Sequence, residues 1–156
     1  MFINIRHFII KGNKPIAETE TVNRFDNNGL NDKSDAFRHA FFNALNAAEI
    51  GKRLAKRFAN AHETETPEIL IIEKEMDLFN NEVGLNIGDE AGFFASNEEL
   101  SNLVYQTHLE GNILYLNPLD FSLSPRYDIN NDGVQDCLNC LNGIISLTQL
   151  IATDLP

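Results

Sequence analysis

Three sets of polar and ionisable side chains stand at helical spacing in the first half of the chain. Asp35, Arg38 and His39 form the first set at positions i, i+3 and i+4, so they share one face of a helix. An Asp one turn before a His can orient the imidazole and raise its basicity, and a neighbouring Arg can stabilise an anion. The spacing alone supports two readings equally, an acid–base site and a structural polar network.

The second and third sets lie on the two following helical segments. His62-Glu63 closes one segment, where a His can also simply favour a helix C-terminus. Asp77 and Asn80-Asn81 lie inside the next segment, at the border of its apolar stripe. If the sets converge, a bound water would be the attacking group, with His39 as general base and Asp35 orienting it. The candidate catalytic residues are Asp35, Arg38, His39, His62, Glu63, Asp77, Asn80 and Asn81.

The reaction itself is left open by these residue types. Carboxylate and imidazole groups also suit one divalent metal, so a metal site and a metal-free acid–base site are both compatible with the sets. The metal would be held by the helical site formed from the three sets.

A second motif lies between residues 128 and 139 and is built like the first half of an EF-hand calcium loop. Oxygen-bearing side chains occupy loop positions 1, 3, 5 and 9, and Gly133 occupies position 6, where the loop turns sharply. Position 12 is Asn139, so the bidentate carboxylate is missing and weak, structural Ca²⁺ binding is predicted. The alternative is an Asn-rich turn without an ion. The candidate calcium ligands are Asp128, Asn130, Asp132, Val134 and Asp136.

Hydrophobic periodicity predicts the elements that must position these groups. Four helices are expected, the first beginning at Asp32 or Ser34 and the third at Thr66-Pro67; they cover about residues 34–49, 50–63, 67–87 and 97–109. Short strands are expected at residues 1–10, 112–116 and 144–151, joined by a polar connection at 11–33, a loop at 88–96 and a turn-rich segment at 118–143. The fold class predicted is mainly α, a compact bundle of about four helices with minor β strands at the N- and C-terminal parts. One domain, 1–156, is expected, with a helical core at 30–110 and the calcium-loop-like motif in the loop-rich segment 118–143.

Gly84 continues the row of Glu73, Asp77 and Asn80 one turn further along the third helix. A Gly in a helix interior costs about 1 kcal/mol relative to Ala. We therefore expect that Gly84 permits the close approach of a neighbouring helix or of a ligand.

Charge and hydropathy indicate which classes of partner are unlikely. A net charge of −11 and a pI near 4.6 make nucleic acid an unlikely partner, because phosphates repel an acidic surface. A basic run at residues 52–57 is most simply a solvated helix face, and nucleic-acid cleavage by that helix is the third and weakest hypothesis. No apolar run is long enough to span a membrane, and residues 1–10 lack a cleavable signal peptide. We expect secretion or delivery by a specialised system, with a cytoplasmic protein or a module of a longer chain as alternatives.

The motifs Asp35-Ala-Phe-Arg-His39, His62-Glu63 and Met76-Asp-Leu-Phe-Asn-Asn-Glu-Val-Gly84 resemble those of a little-characterised bacterial domain family. Domains of that family occur alone and near the C-terminus of large secreted, Rhs-like or wall-associated polymorphic proteins, where toxin modules lie. The resemblance is strong over residues 30–90 and implies that the three sets form one shared site. It implies no reaction, and Phe42 stands where the family commonly has Trp.

Two functions of different class follow from these observations. The first is a secreted effector or toxin-type hydrolase that cleaves an ester, phosphodiester or glycosidic bond, with an envelope component as substrate and a cognate immunity protein as partner. The second is a non-enzymatic, calcium-stabilised secreted interaction module whose polar rows only join the helices.

Overall fold

The computed structural model describes residues 2–63, 71–122, 137–139 and 142–154. Within these ranges the chain forms five α-helices and three β-strands, which confirms the mainly α prediction. The helices are α1 Phe2–Phe25, α2 Lys33–Ile50, α3 Lys52–Glu63, α4 Ile71–Ala91 and α5 Asn97–Leu109. The strands are β1 Leu114–Leu119, β2 Cys137–Asn139 and β3 Ile144–Ala152.

Helix α2 is the central element of the fold, because α1, α3, α4, α5 and β1 all pack against it. Asp32 caps its N-terminus by accepting hydrogen bonds from the N–H groups of Ser34 and Asp35. Its apolar stripe is buried, with Phe37 stacked on Phe41. The opposite face is also covered, since Asp35, Asn43 and Asn46 on that face are buried. This polar face is therefore an internal network and not a solvated helix surface.

Helices α2 and α4 cross at very short range. A Cβ atom on Gly84 would lie 1.9 Å from the carbonyl oxygen of Ala40, and one on Gly88 would lie 2.1 Å from that of Ala44. Only glycine leaves room for this approach of two backbones. The close approach predicted for Gly84 is confirmed, and its partner is helix α2. The polar residues that flank the crossing are thereby brought within hydrogen-bonding reach.

The three strands form an antiparallel sheet in the order β1-β3-β2. Leu116 of β1 and Ile144 of β3 pack with Met76 of α4, which attaches the sheet to the helices. The final strand is where the sequence predicted it. The prediction that β1 stops at Pro118 is wrong, because the strand runs to Leu119. The register shifts between Asn117 and Leu119, and such an irregularity accommodates a residue without an N–H.

The N-terminal segment differs most from expectation. Residues 2–10 do not form the predicted strand and 11–25 do not form a polar connection, because α1 runs continuously from Phe2 to Phe25. Short apolar runs do not distinguish a strand from a helix by themselves. Packing decides here: Asn13, Ala17 and Thr21 recur every four residues as the buried side of α1. Asn13 Nδ2 also donates a hydrogen bond to Asn46 Oδ1 of α2, at 3.0 Å.

The remaining helix limits are close to those expected. Helix α4 continues to Ala91, so the loop predicted at 88–96 begins only at Gly92; Gly88 stays helical because it packs on Ala44. Ser96 caps α5 through the N–H of Glu99. The predicted start at Thr66-Pro67 lies outside the described residues. None of the described helices combines the length and hydropathy needed to cross a membrane.

Candidate functional site

The ring of His39 lies between helices α2 and α4 and contacts residues from both. Its Nε2 atom is 3.5 Å from Asp35 Oδ1, one turn earlier on α2, and 3.4 Å from Asp77 Oδ1 on α4. Its Nδ1 atom is 3.2 Å from Asn81 Oδ1, also on α4. The first and third predicted sets are thus brought together around one imidazole whose side chain is 22% exposed.

Asp35 and Arg38 form an ion pair at the start of α2. The Asp35 side chain is only 1% exposed, and its Oδ2 atom accepts a hydrogen bond from the Asn31 N–H at 2.5 Å. The guanidinium of Arg38 also donates to Asn28 Oδ1 and, at 2.9 Å, to the Gly29 carbonyl oxygen. Arg38 therefore holds the loop before α2, and the anion-stabilising role that the sequence suggested stays a prediction.

The charges around His39 raise its pKa. Burial by itself lowers the pKa, but the carboxylates of Asp77 and Asp35 and the hydrogen bond with Asn81 outweigh burial, while the Arg38 charge opposes them. The pKa of His39 consequently lies above the ordinary value of 6.5. The ring stays protonated to a higher pH than a solvated histidine.

Asn43 completes the cluster, although it was not among the predicted catalytic residues. Its Nδ2 atom donates to Asn81 Oδ1 at 2.7 Å and to the His39 carbonyl oxygen at 3.0 Å. Asn43 and Asn81 are each 3% exposed. The available signal was its position, four residues after His39 on the same polar face.

Asn80 points to the sheet and not to His39. Its Nδ2 atom donates to the Leu114 carbonyl oxygen at 2.7 Å, and its Oδ1 atom accepts from the Leu114 N–H at 3.0 Å. The fully buried side chain thus pairs with β1 as a neighbouring strand would. Its contacts join α4 to the sheet and do not place it in the cluster around His39.

Asn80→Leu should lower the free energy of unfolding by about 2 kcal/mol, because both polar groups of Leu114 lose their partner. Urea unfolding followed by circular dichroism measures this. The matched control is Asn86→Leu on the exposed side of α4, which should change stability by less than about 0.5 kcal/mol. Equal effects of the two substitutions would contradict the role of Asn80.

A second polar network connects the loop before α2 to α4 and to the segment before β3. Asn31 Nδ2 lies 3.3 Å from Glu73 Oε2 and 3.0 Å from the Asn142 carbonyl oxygen. Asn142 Nδ2 donates to the same Glu73 oxygen at 2.7 Å. Asn31 has a positive φ of 64°, a conformation that Asn tolerates better than most residues. This network supports the backbone that donates to Asp35.

The second predicted set and the calcium loop cannot be placed in the same way. His62 and Glu63 end α3, which packs against α2 and α4, but their side chains lie outside the described part of the structure. The loop ligands Asp128, Asn130, Asp132, Val134 and Asp136 also lie outside the described residues. Among the described residues, no group of three or more His, Cys, Asp or Glu side chains is arranged to hold a metal ion. Both assignments stay predictions.

Comparison with known proteins places the chain in a family. Searches of curated proteins and of solved structures found no match. A family model described as a domain of unknown function, DUF6973, matches residues 5–112, which include all five helices except the first residues of α1. The match covers more than half of the chain and includes every residue of the cluster around His39. The chain therefore belongs to the DUF6973 family of domains of unknown function.

Proposed function

We propose that this domain is an effector-type hydrolase whose site is formed by His39, Asp35 and Asp77. One observation carries the proposal: Nε2 of a partly exposed histidine lies within 3.5 Å of carboxylate oxygens from two different helices. Histidine and carboxylate side chains are the commonest groups in acid–base catalysis. A pKa shifted by specific charged neighbours is also typical of functional sites.

The contacts favour His39 as the proton donor, where the sequence suggested a general base. Both ring nitrogens face oxygen acceptors, and the raised pKa favours the imidazolium. The Asp77 side chain is 12% exposed against 1% for Asp35, so Asp77 is the more accessible of the two carboxylates. We assign Asp77 as the base and Asp35, held by Arg38 and the Asn31 N–H, as the group that orients the ring.

The proposed reaction is hydrolysis by a water molecule. Asp77 takes a proton from the water as its oxygen bonds to the electrophilic centre, and the bond to the leaving oxygen breaks with its electron pair. His39 Nε2 gives its proton to that oxygen. The proton on Asp77 can then return to Nε2 of His39, because Nε2 lies 3.4 Å from Asp77 Oδ1. The cycle therefore needs no other proton carrier.

The charges of the site favour an uncharged ester or glycosidic bond over a phosphodiester. Two carboxylates flank His39, and the guanidinium of Arg38 is bonded to Asp35, Asn28 and Gly29. The whole chain carries a net charge of −11. A phosphodiester would be repelled by the surface and would meet no uncommitted arginine among these contacts.

The resemblance to modules of secreted polymorphic proteins supports the biological setting. We propose delivery to a rival or host cell, an envelope component as substrate and a cognate immunity protein as partner. The Ca²⁺ proposed at residues 128–136 has a structural role and takes no part in the reaction.

The test is growth of a bacterial host that expresses the chain with and without an export signal. Wild type should slow growth in one compartment, and His39→Gln and Asp77→Asn should abolish the effect while keeping a folded circular dichroism spectrum. Purified wild type should hydrolyse a chromogenic ester or glycoside, with a 10²- to 10⁴-fold loss in either variant. His7→Gln, at an exposed histidine of α1, is the matched control.

Absence of growth inhibition in both compartments, together with no hydrolysis, would overturn the proposal. If His39→Gln and Asp77→Asn then also melt at much lower temperature, the second candidate is favoured. That candidate, a non-enzymatic interaction module, is supported by Asn80, whose buried amide serves only packing between α4 and β1.

A further inference from the structure

We propose that Asn43 is a positioning residue that fixes which nitrogen of His39 carries the permanent hydrogen, acting through Asn81. Its importance for catalysis rests on the proposed function, whereas the tautomer itself does not. A chain of hydrogen bonds runs from the carbonyl oxygen of His39 through Asn43 and Asn81 to the imidazole.

The first step fixes the amide of Asn43. One atom of its side-chain amide lies 3.0 Å from the carbonyl oxygen of His39. A backbone carbonyl can only accept hydrogen bonds, so this amide atom must be the donating Nδ2. Asn43 stands four residues after His39 on α2 and is buried between α2 and α4, which ties the amide to its own helix.

The second step fixes the amide of Asn81. The same Nδ2 of Asn43 lies 2.7 Å from the Asn81 amide. An amide NH₂ cannot accept, so Asn81 must present its carbonyl oxygen Oδ1 to Asn43. That oxygen has two lone pairs, and the second is directed to the imidazole of His39, 3.2 Å away.

The third step determines which nitrogen of the His39 imidazole carries the hydrogen. Asn81 Oδ1 is an acceptor only, and its 3.2 Å contact with Nδ1 is a hydrogen bond, whereas Nε2 lies at ion-pair distances of 3.4 and 3.5 Å from its carboxylates. Of the two ring nitrogens, Nδ1 is therefore the one that carries the hydrogen of the neutral ring. Nδ1 keeps this hydrogen in both the neutral and the charged ring. The hydrogen that comes and goes is therefore on Nε2, which faces the carboxylates of Asp35 and Asp77. The donor function assigned to Nε2 depends on this arrangement.

The opposite tautomer would be useless for the proposed reaction. With Nδ1 unprotonated, the neutral ring would hold its hydrogen on Nε2 permanently, and no proton could be returned there from Asp77. The two carboxylates favour protonation of the ring and the Arg38 charge opposes it. The carboxylate contacts are made at Nε2. Asn43 thus directs the exchangeable proton to Nε2, the nitrogen that faces Asp35 and Asp77.

The test is NMR of protein labelled with ¹⁵N in its histidine rings, recorded across the pH range in which His39 titrates. His39→Gln identifies the signals of His39 among those of the four histidines. In wild type we expect Nδ1 to remain protonated throughout and only Nε2 to lose its hydrogen as the pH rises. An unprotonated Nδ1 in the neutral ring would overturn the proposal, whatever the activity of the protein.

Two variants separate positioning from packing. Asn43→Ala removes the donor that binds Asn81 Oδ1, so the neutral ring should become a mixture of tautomers and hydrolysis should fall by about 10²-fold or more. Asn81→Asp keeps an acceptor oxygen at the same place and should keep Nδ1 protonated. An Asn43→Ala ring that retains the wild-type tautomer would contradict the role of Asn43. If Asn43→Ala does not fold, loss of Nδ1 protonation in Asn81→Asp would equally overturn the mechanism.

These readouts also distinguish this inference from the proposed function. A fixed tautomer in a wild-type protein that hydrolyses nothing would leave the hydrogen-bond chain intact and remove the hydrolase. Hydrolysis by a protein whose neutral His39 ring has Nδ1 unprotonated would keep the hydrolase and overturn the fixed tautomer.

Discussion

Gly84→Ala should lower the free energy of unfolding by about 3 kcal/mol, because the new methyl group has no space. Its Cβ would lie 1.9 Å from the Ala40 carbonyl oxygen, an atom of the central helix backbone. Helices α2 and α4 must move apart to accept it. That movement would draw Asp77 and Asn81 away from His39, so any activity should fall together with stability.

The matched control is Gly12→Ala. Gly12 also lies inside a helix, α1, but a Cβ there would meet no atom within 4 Å. This substitution should stabilise the protein by about 0.5–1 kcal/mol, since alanine is the better helix former. Urea unfolding of both variants measures the contrast. A Gly84→Ala protein as stable as Gly12→Ala would show that α2 and α4 do not approach as closely as described.

The protein should lose about 3 kcal/mol of stability as the pH falls from 6.5 to 4, through His108 alone. Burial, aided by the charge of Lys33, lowers the pKa of His108 from 6.5 to about 4. The unfolded chain therefore binds a proton below pH 6.5, whereas the folded protein does not until about pH 4. The contribution of the neutral ring is fully present above pH 6.5 and is lost as the pH falls through this window.

His108→Phe should remove this part of the acid dependence. The ring contacts of His108 with Phe25 and Tyr105, at centroid distances of 5.0 and 5.9 Å, suit an aromatic replacement. Thermal melting at several pH values compares the variant with wild type and with His7→Gln, an exposed control. An unchanged difference in stability between pH 6.5 and 4 in His108→Phe would contradict the assignment.

The titration of His39 changes stability with pH in the opposite direction to that of His108. Its pKa is raised in the folded protein, so its contribution to stability is fully present below the unfolded value of 6.5. That contribution is lost as the pH rises through the folded pKa. The two histidines together favour a stability maximum near pH 6.5.

Local signals in the sequence predicted much of the helical fold. Helix α2 begins at Asp32, one of the two expected caps, because a cap satisfies N–H groups within its own first turn. Helix α5 begins at the expected Asn97, and its cap, Ser96, is the last residue of the predicted loop. Helix α1 was missed because its buried side alternates small and polar residues, such as Asn13 and Thr21, which show no apolar period. Tertiary contact of α1 with α2 and α5 explains their burial.

The sequence predicted which residue types would form the candidate site, but it did not predict which contact each residue makes. Spacing placed Asp35 and His39 on one helical face, and Gly84 pointed to a close crossing. Spacing could not show that Asn80 pairs with a strand 34 residues away while the adjacent Asn81 meets His39. One residue of rotation on a helix turns a side chain by about 100°. Adjacent residues on a helix therefore contact different elements, and the packing on each side of the helix decides which element each residue meets.

The sequence by itself determined the local features: the mainly α class, the capped helices, the row of polar groups on α2 and the need for a glycine at position 84. These follow from interactions within a few residues, which the chain carries wherever it folds. Only the tertiary structure decided that α4 covers the polar face of α2, that two carboxylates meet one imidazole, and that Asn43 reaches it through Asn81. The reason is physical: a hydrogen bond or a pKa shift depends on distances of a few ångströms between segments far apart in the chain, and packing alone sets those distances.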